Sequence, residues 1–131
     1  MNFKDYNKTS FVEVQKLDFC TYQKLAVVTK KPWGTQNEDL ADCALGLNSE
    51  AGEIANMIKH HVRGAKPFYD EDGNLKKEFA DRLKYEIGDT MWYIASLCEC
   101  MSFDMGEIAE MNIEKLRKRH GDKYSGYGKR D

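Results

Sequence analysis

Two stretches decide the fold, LNSEAGEIANMIK at residues 47–59 and YEIGDTMWYIA at residues 85–95. Each has the spacing of apolar residues that is typical of an amphipathic helix, and each carries two carboxylates three residues apart. The four residues are Glu50, Glu53, Glu86 and Asp89. Because residues i and i+3 share one face of a helix, two such helices packed side by side would direct all four carboxylates into one small volume.

Four carboxylates at close range cannot all stay ionised without compensation, because like charges raise each other's pKa. A divalent cation would supply that compensation, and ligand sets made only of oxygen select hard ions such as Mg2+, with Mn2+ as a substitute. We therefore expect a metal site between the two helices. The alternative is a solvated or salt-bridged acidic face, since Arg82 and Lys84 can pair with the second carboxylate pair.

Glycines lie inside both carboxylate pairs, at Gly52 and Gly88. Glycine in a helix interior costs about 1 kcal/mol relative to alanine. Two parallel occurrences therefore predict that the helices approach each other closely beside the acidic residues.

Length and composition indicate one helical domain over residues 1–131, with an N-terminal extension at 1–20 and a polar tail at 121–131. The formal net charge of −2 creates no overall field that favours nucleic acid or an acidic membrane. Apolar stretches are interrupted before they reach membrane-spanning length, and the N-terminus lacks the layout of a secretory signal. We expect a cytoplasmic protein without nucleic-acid or membrane partners. Its four cysteines have no CxxC spacing and are expected to be reduced and mostly buried.

Apolar periodicity predicts an all-α bundle of four or five helices, and strand-like alternation is absent from the sequence. The expected helices cover residues 12–29, which 18–21 could interrupt, then 38–62 with Asn37 as the N-cap, 75–100, and 104–120 with Asp104 as the cap. The core stripes are expected to be Leu40, Ala44, Leu47, Ala51, Ile54 and Ile58 on the second helix, and Leu83, Ile87, Thr90, Ile94, Leu97 and Met101 on the third.

The last helix offers a complement to the acidic residues. Asn112, Lys115 and Arg119 are spaced i, i+3 and i+7, so they lie on one face. Arginine binds phosphate with a bidentate fork and lysine binds it as a point charge. Basic side chains at the end of a helix usually do no more than interact favourably with the helix dipole. Beside four carboxylates, this face is instead expected to bind a polyphosphate.

Two aromatic residues, Trp33 and Tyr93, are candidates for stacking on a nucleotide base. Aromatic residues on helices belong more commonly to the core. Trp92 is a further candidate, and Trp33, which lies in a predicted turn, is better placed than Trp92 for contact with a ligand.

Three segments together resemble the MazG-like all-α nucleoside triphosphate pyrophosphohydrolases, most closely the small single-domain members of phages and bacteria. They are LGLNSEAGEIANMIKHHV at 45–62, EIGDTMWYIASLC at 86–98 and EIAEMNIEKLRKRHGDKYSGY at 107–127. The stretch TYQKLAVVT at 21–29 also matches the usual first-helix pattern of the family, so the resemblance covers roughly residues 22–127.

The resemblance implies hydrolysis of a nucleoside or deoxynucleoside triphosphate to the monophosphate and pyrophosphate, by attack of a metal-activated water at the α-phosphorus. The four carboxylates would hold Mg2+. One of them would also accept the proton of the water, and Glu53 is our candidate. Lys115 and Arg119, with Asn112 beside them, would neutralise the leaving pyrophosphate, and Lys59 would reach the phosphates from the second helix.

The resemblance also implies a homodimer or homotetramer. Apolar residues outside a single stripe point the same way, namely Leu45, Met57, Met91 and Cys98. Two other readings of the function stay open. One is a related enzyme on the same scaffold, such as an all-α dUTPase or a phosphoribosyl-ATP pyrophosphohydrolase. The other is a helical interaction module without catalysis.

Overall fold

The computed structural model describes residues 17–121, and within this range the chain forms four α-helices. They are α1 at Phe19–Ala26, α2 at Gln36–Val62, α3 at Lys77–Cys100 and α4 at Met105–His120, and a 3-10 turn at Val27–Thr29 follows α1. The described residues hold no strand, and one isolated bridge joins Tyr69 to Leu75. The prediction of an all-α fold is confirmed. No described helix is both long enough and apolar enough to cross a membrane.

The helix starts follow from capping chemistry. Asp18 caps α1 by accepting the amide of Thr21 at 2.7 Å, so the described helix begins at Phe19. The predicted part of this helix before residue 17 lies outside the described residues. The prediction that Asn37 caps α2 is wrong. Thr35 and Glu38 form a reciprocal capping box instead, because T-x-x-E lets each side chain accept an amide of the other residue. Asp104 caps α4 as predicted.

A hairpin-like loop over residues 63–76 joins α2 to α3. Phe68 is buried at its base, where the Nδ1 atom of His61 accepts the Phe68 amide at 3.0 Å and the two rings stack at 4.5 Å. The carboxylate of Asp70 closes the tip by accepting the amides of Asp72 and Asn74. Since Leu75 is held in the bridge to Tyr69, α3 begins two residues later than predicted.

Helices α2 and α3 make the most extensive contact of the described chain and run antiparallel. The seam on α2 has a seven-residue repeat through Cys43, Glu50 and Met57, of which the first and last are buried. The matching repeat on α3 passes through Glu86, Tyr93 and Cys100. A seven-residue repeat is the spacing that keeps one face of a helix against a neighbouring helix.

This seam lies one position away from the predicted core stripes. Ile87, Ile94 and Met101, which were expected to form the core face of α3, are 45%, 37% and 41% exposed. Ala44 and Ala51 of the predicted α2 stripe are exposed as well. The predicted stripes on both helices are therefore partly wrong. Apolar residues lie on more than one face, and only the packing decides which face is buried.

A buried glutamine holds α1 against the connection between α3 and α4. The Gln23 amide donates to the carbonyl of Phe103 at 2.9 Å and accepts the amide of Met105 at 2.8 Å. Around it, Ala95, Cys98 and Met105 form a small core with residues of α1. Gln23 thus satisfies two backbone groups where the chain turns into α4, a role that no sequence pattern signalled.

We predict that Gln23→Leu lowers the free energy of unfolding by about 1–3 kcal/mol for each backbone group left unpaired. Urea unfolding followed by circular dichroism measures the change. Gln36→Leu is the matched control, because Gln36 is exposed and donates one bond, to the carbonyl of Cys100. In this control we expect the free energy of unfolding to change by no more than about 0.5 kcal/mol. Equal losses in the two variants would contradict the role assigned to Gln23.

Candidate metal centre

Three of the four predicted carboxylates meet between α2 and α3. Glu50 on α2 and Glu86 and Asp89 on α3 each offer an oxygen atom, and these atoms lie within 4.8 Å of one another. We call these three residues the carboxylate cluster. Glu50 and Glu86 are partly buried, while Asp89 is exposed at the rim. The cluster therefore has an inner wall shielded by protein and an open side.

The position of Glu50 on the seam explains its electrostatics. Burial raises the pKa of the Glu50 carboxyl, and the negative charges of Asp89, Glu86 and Glu53 raise it further. A carboxylate placed between the buried Cys43 and Met57 occupies a position where an apolar residue would pack well. Burying a charge is costly unless it is paired or bound to a metal.

Cations of the described chain compensate the cluster only weakly. The Nε atom of Arg82 lies 3.9 Å from a carboxylate oxygen of Glu86, and about half of the Arg82 side chain is exposed. Lys84 pairs with Asp81 instead. An exposed pair at this distance contributes little. Arg82 thus pairs with Glu86 as the salt-bridge hypothesis predicted. The charges that raise the pKa of Glu50, however, are all negative.

The cluster fits a divalent metal in its chemistry. Its donors are all carboxylate oxygens, which is the set that Mg2+ and Mn2+ prefer. Burial and then the neighbouring negative charges raise the pKa of Glu50, and a bound cation would offset both effects by favouring the ionised form. The three residues come from two helices whose mutual position is set by the seam, so the donors are already assembled.

Glu53 lies outside the cluster. Its side chain is exposed one turn further along α2, although its charge still contributes to the raised pKa of Glu50. It therefore stands at the edge of the site, close enough to act on the inner carboxylate through its charge.

The close approach of α2 and α3 occurs at a different glycine from those predicted. A Cβ atom added at Gly52 or Gly88 would meet nothing within 4 Å. At Gly46 it would collide with the ring of Tyr93. Gly46 thus makes room for the Tyr93 ring against α2, one turn from Glu50 on one helix and one turn from Asp89 on the other. The expectation for Gly52 and Gly88 is wrong, because both lie on the open side of their helices.

The predicted substrate residues are spread over the described chain. Lys59 follows Glu50 by nine residues, which places it on the opposite side of α2. Asn112, Lys115 and Arg119 are exposed on α4, which packs mainly on α1. Trp33 is 74% exposed in the connection before α2, and its amide donates to Asp39 at 2.6 Å. Of the six candidates, Tyr93 lies nearest the cluster along the chain.

Comparisons with known proteins match the chain to a protein family and to a phage protein. The family model described as the MazG nucleotide pyrophosphohydrolase domain matches residues 39–123, a range that includes the whole carboxylate cluster. A protein named "Gene 37 protein" of Mycobacterium phage L5 is 38% identical over 82 residues, which cover 63% of this chain and 67% of that protein. No solved structure matches the chain.

We predict that Mn2+ raises the thermal stability of the protein, by about 2.7 kcal/mol when free metal is about 100-fold above Kd. Glu50→Gln should abolish this rise. Differential scanning fluorimetry with and without Mn2+ measures both effects. Glu110→Gln on α4 is the control, because it removes the same charge from an exposed residue on another helix. A full Mn2+ effect in Glu50→Gln would contradict the site.

The same variant tests the electrostatics without metal. A carboxyl whose pKa is raised on folding contributes stability below its ordinary pKa of 4.5, and that contribution is lost as the pH rises through the raised value. At pH 7.5 the ionised Glu50 is therefore a cost that glutamine removes. We expect metal-free Glu50→Gln to melt at a higher temperature than the wild type, and this difference should disappear near pH 4.

Proposed function

Since the chain belongs to the family of the MazG nucleotide pyrophosphohydrolase domain, we propose that it hydrolyses nucleoside triphosphates to monophosphates and pyrophosphate in a metal-dependent reaction. The observation that carries the proposal is the carboxylate cluster, with three oxygen donors gathered within 4.8 Å and no strong cation beside them among residues 17–121. We further propose a cytoplasmic location, where triphosphates and Mg2+ are both plentiful.

Glu50, Glu86 and Asp89 are the residues that would hold Mg2+, or Mn2+ in its place. When bound, the metal supplies Lewis-acid polarisation of phosphate oxygens and lowers the pKa of water. The partly buried Glu50 and Glu86 would anchor the ion, since their positions are set by the seam. Asp89 at the rim would be the carboxylate nearest the substrate.

Glu53 is the proposed general base. Its carboxylate stands one turn from Glu50 and outside the cluster, so an oxygen of Glu53 is free to accept the proton of the attacking water. A carboxylate that binds the metal would use its lone pairs for that bond. The carboxylate of Glu53 is exposed and lies outside the cluster, so its lone pairs remain available. This separation gives Glu53 a role distinct from that of the other three.

Tyr93 and Trp33 are proposed to contact the base of the substrate. Tyr93 lies on Gly46 beside the cluster, and its edge-on contact with Trp92, at 4.9 Å between ring centroids, fixes the ring further. Trp33 presents a largely exposed indole near the start of α2. Aromatic faces of this kind stack on any base, so the substrate assay must decide the preference.

A second copy of the chain is proposed to complete the site. The apolar stripe of Ile87, Ile94 and Met101 is exposed on α3, and Ile108 and Met111 are exposed on α4. Only six apolar side chains are buried in the part of the chain that the structure describes. Exposed apolar bands on two helices are typical of an interface, and a homodimer, or a tetramer built from two dimers, would cover them.

The same assembly would give the basic residues their role. Asn112, Lys115 and Arg119 lie on α4, which packs on α1 rather than beside Glu50 on α2. A two-fold partner would bring its own α4 to the open side of the cluster, where Lys115 and Arg119 bind the leaving pyrophosphate. Lys59, on the far side of α2, would likewise contact substrate only in such an assembly.

We predict that pyrophosphate is released from nucleoside triphosphates with Mg2+ and that Asp89→Asn and Glu53→Gln each lower kcat by about 10²–10⁴. The two variants should differ in their response to Mn2+. Asp89→Asn loses the metal-induced rise in melting temperature, and Glu53→Gln keeps it. Full activity in either variant would contradict the role given to that residue, and Glu110→Gln again serves as the charge-matched control.

The substrate panel of this assay separates the related functions. It should include canonical and modified nucleotides, dUTP and phosphoribosyl-ATP. Turnover of dUTP alone identifies a dUTPase, and turnover of phosphoribosyl-ATP alone identifies a phosphoribosyl-ATP pyrophosphohydrolase. A chain that ignores both metal and nucleotide is a helical interaction module.

We predict that two impaired variants restore each other's activity when they share a dimer. One is Asp89→Asn, and the other is the double variant Lys115→Ala/Arg119→Ala, which should keep its Mn2+ response. If the partner supplies α4, half of the randomly mixed dimers are mixed, and each has one intact site of two. The expected activity is about one quarter of the wild type. Light scattering checks the assembly, and either no recovery or a fully active monomer would contradict shared sites.

A further inference from the structure

Two thiols lie in contact at the end of the α2–α3 seam, about two helical turns from Glu50. The Sγ atoms of Cys43 and Cys100 are 3.6 Å apart, although the residues are 57 positions apart in the sequence. Cys43 is 2% exposed and Cys100 is partly exposed. From this geometry we propose that a peroxide converts Cys43 and Cys100 into a reversible intramolecular disulfide that ties α2 to α3. The proposal is independent of the enzymatic activity.

The other two cysteines are engaged elsewhere. The Cys20 thiol donates to the carboxylate of Asp104 at 3.2 Å. Cys98 is buried in the core that faces α1. It precedes Cys100 by two residues, so the two thiols project from nearly opposite sides of α3. Cys43 and Cys100 are therefore the pair within reach of each other.

Closure requires a small movement. Sulfur atoms in a disulfide lie about 2.05 Å apart, so the two thiols must approach by about 1.5 Å. Rotation about the Cα–Cβ bonds covers such a distance. Cys100 is the last residue of α3, at a helix end where the backbone carbonyl groups have no partner within the helix.

The surroundings assign different roles to the two thiols. Burial, followed by the hydrogen bond to Cys100, raises the pKa of the Cys43 thiol to about 11. Cys100 is partly exposed whereas Cys43 is buried, so Cys100 is the thiol that peroxide reaches first, and Cys43 is the thiol that resolves the product.

The chemistry balances with hydrogen peroxide as oxidant. The Cys100 sulfur attacks one peroxide oxygen, the O–O bond breaks, and the products are a sulfenic acid and one water. The Cys43 sulfur then attacks the sulfenic sulfur, the S–O bond breaks, and the hydroxide takes the Cys43 proton to leave as a second water. Two thiols lose two electrons in total, and the peroxide gains them. A dithiol reductant reverses the reaction.

The decisive experiment uses the reduced, desalted wild-type chain with stoichiometric hydrogen peroxide, followed by alkylation, intact mass and peptide mapping. We expect two of the four thiols to be lost and the chain to become about 2 Da lighter before alkylation. The map should join the Cys43 and Cys100 peptides, and dithiothreitol should restore four thiols. The oxidised chain should melt several degrees higher than the reduced chain.

Serine variants test which cysteines form the bridge. Cys43→Ser and Cys100→Ser should each abolish the bridge, while Cys20→Ser should leave it intact as the matched control. The map of the wild type decides the case even if Cys43→Ser fails to fold. Four free thiols after oxidation, a bridge through Cys20 or Cys98, a disulfide between two copies, or Cys100 oxidised to a sulfinic acid without a bridge would each overturn the proposal.

Discussion

The contact between α2 and α3 holds three negative charges together, at Glu50, Glu86 and Asp89, and the other interactions of the helix pair keep them there. Glu50 occupies a position between Cys43 and Met57 where an apolar side chain would pack at no electrostatic cost. Burial and the neighbouring negative charges raise its pKa, and Arg82 approaches only Glu86, at 3.9 Å. A fold that keeps such an arrangement gives up stability at one point of its main interface. That loss is understandable if a cation belongs there, because the ion turns repulsion into ligation.

The remaining interactions keep α2 and α3 in the relation that the cluster needs. Gly46 admits the Tyr93 ring, which sets how closely the helices approach near the carboxylates. At one end of the pair His61 holds the hairpin by accepting the Phe68 amide, and at the other end the thiols of Cys43 and Cys100 touch. The acidic residues therefore lie in the middle of a helix pair that is anchored at both ends.

The described chain has little core of its own beyond this helix pair. Its largest buried apolar cluster combines Ala95, Cys98 and Met105 with residues of α1, and Gln23 provides polar bonds where an apolar residue could only fill space. Apolar side chains that would enlarge the core, such as Ile87 and Ile94, face outward instead. The exposed stripe lies one position along α3 from the acidic seam, so the two features lie on different faces of the same helix.

Local patterns in the amino-acid sequence predict the helix content, the pairing of acidic residues on two helices, and the family. These rest on local rules: i, i+3 spacing places residues on one face, and capping depends on neighbouring residues. The capping box of Thr35 and Glu38 also follows such a local rule, since T-x-x-E at residues 35–38 competes with Asn37 for the start of α2. The packing of the helices settles three further points: which face of each helix is buried, that Glu53 stands apart from the other three carboxylates, and that Gly46 rather than Gly52 allows close approach. The reason is that these helices carry apolar residues on several faces, so periodicity allows more than one packing, and the choice depends on contacts between residues far apart in the chain.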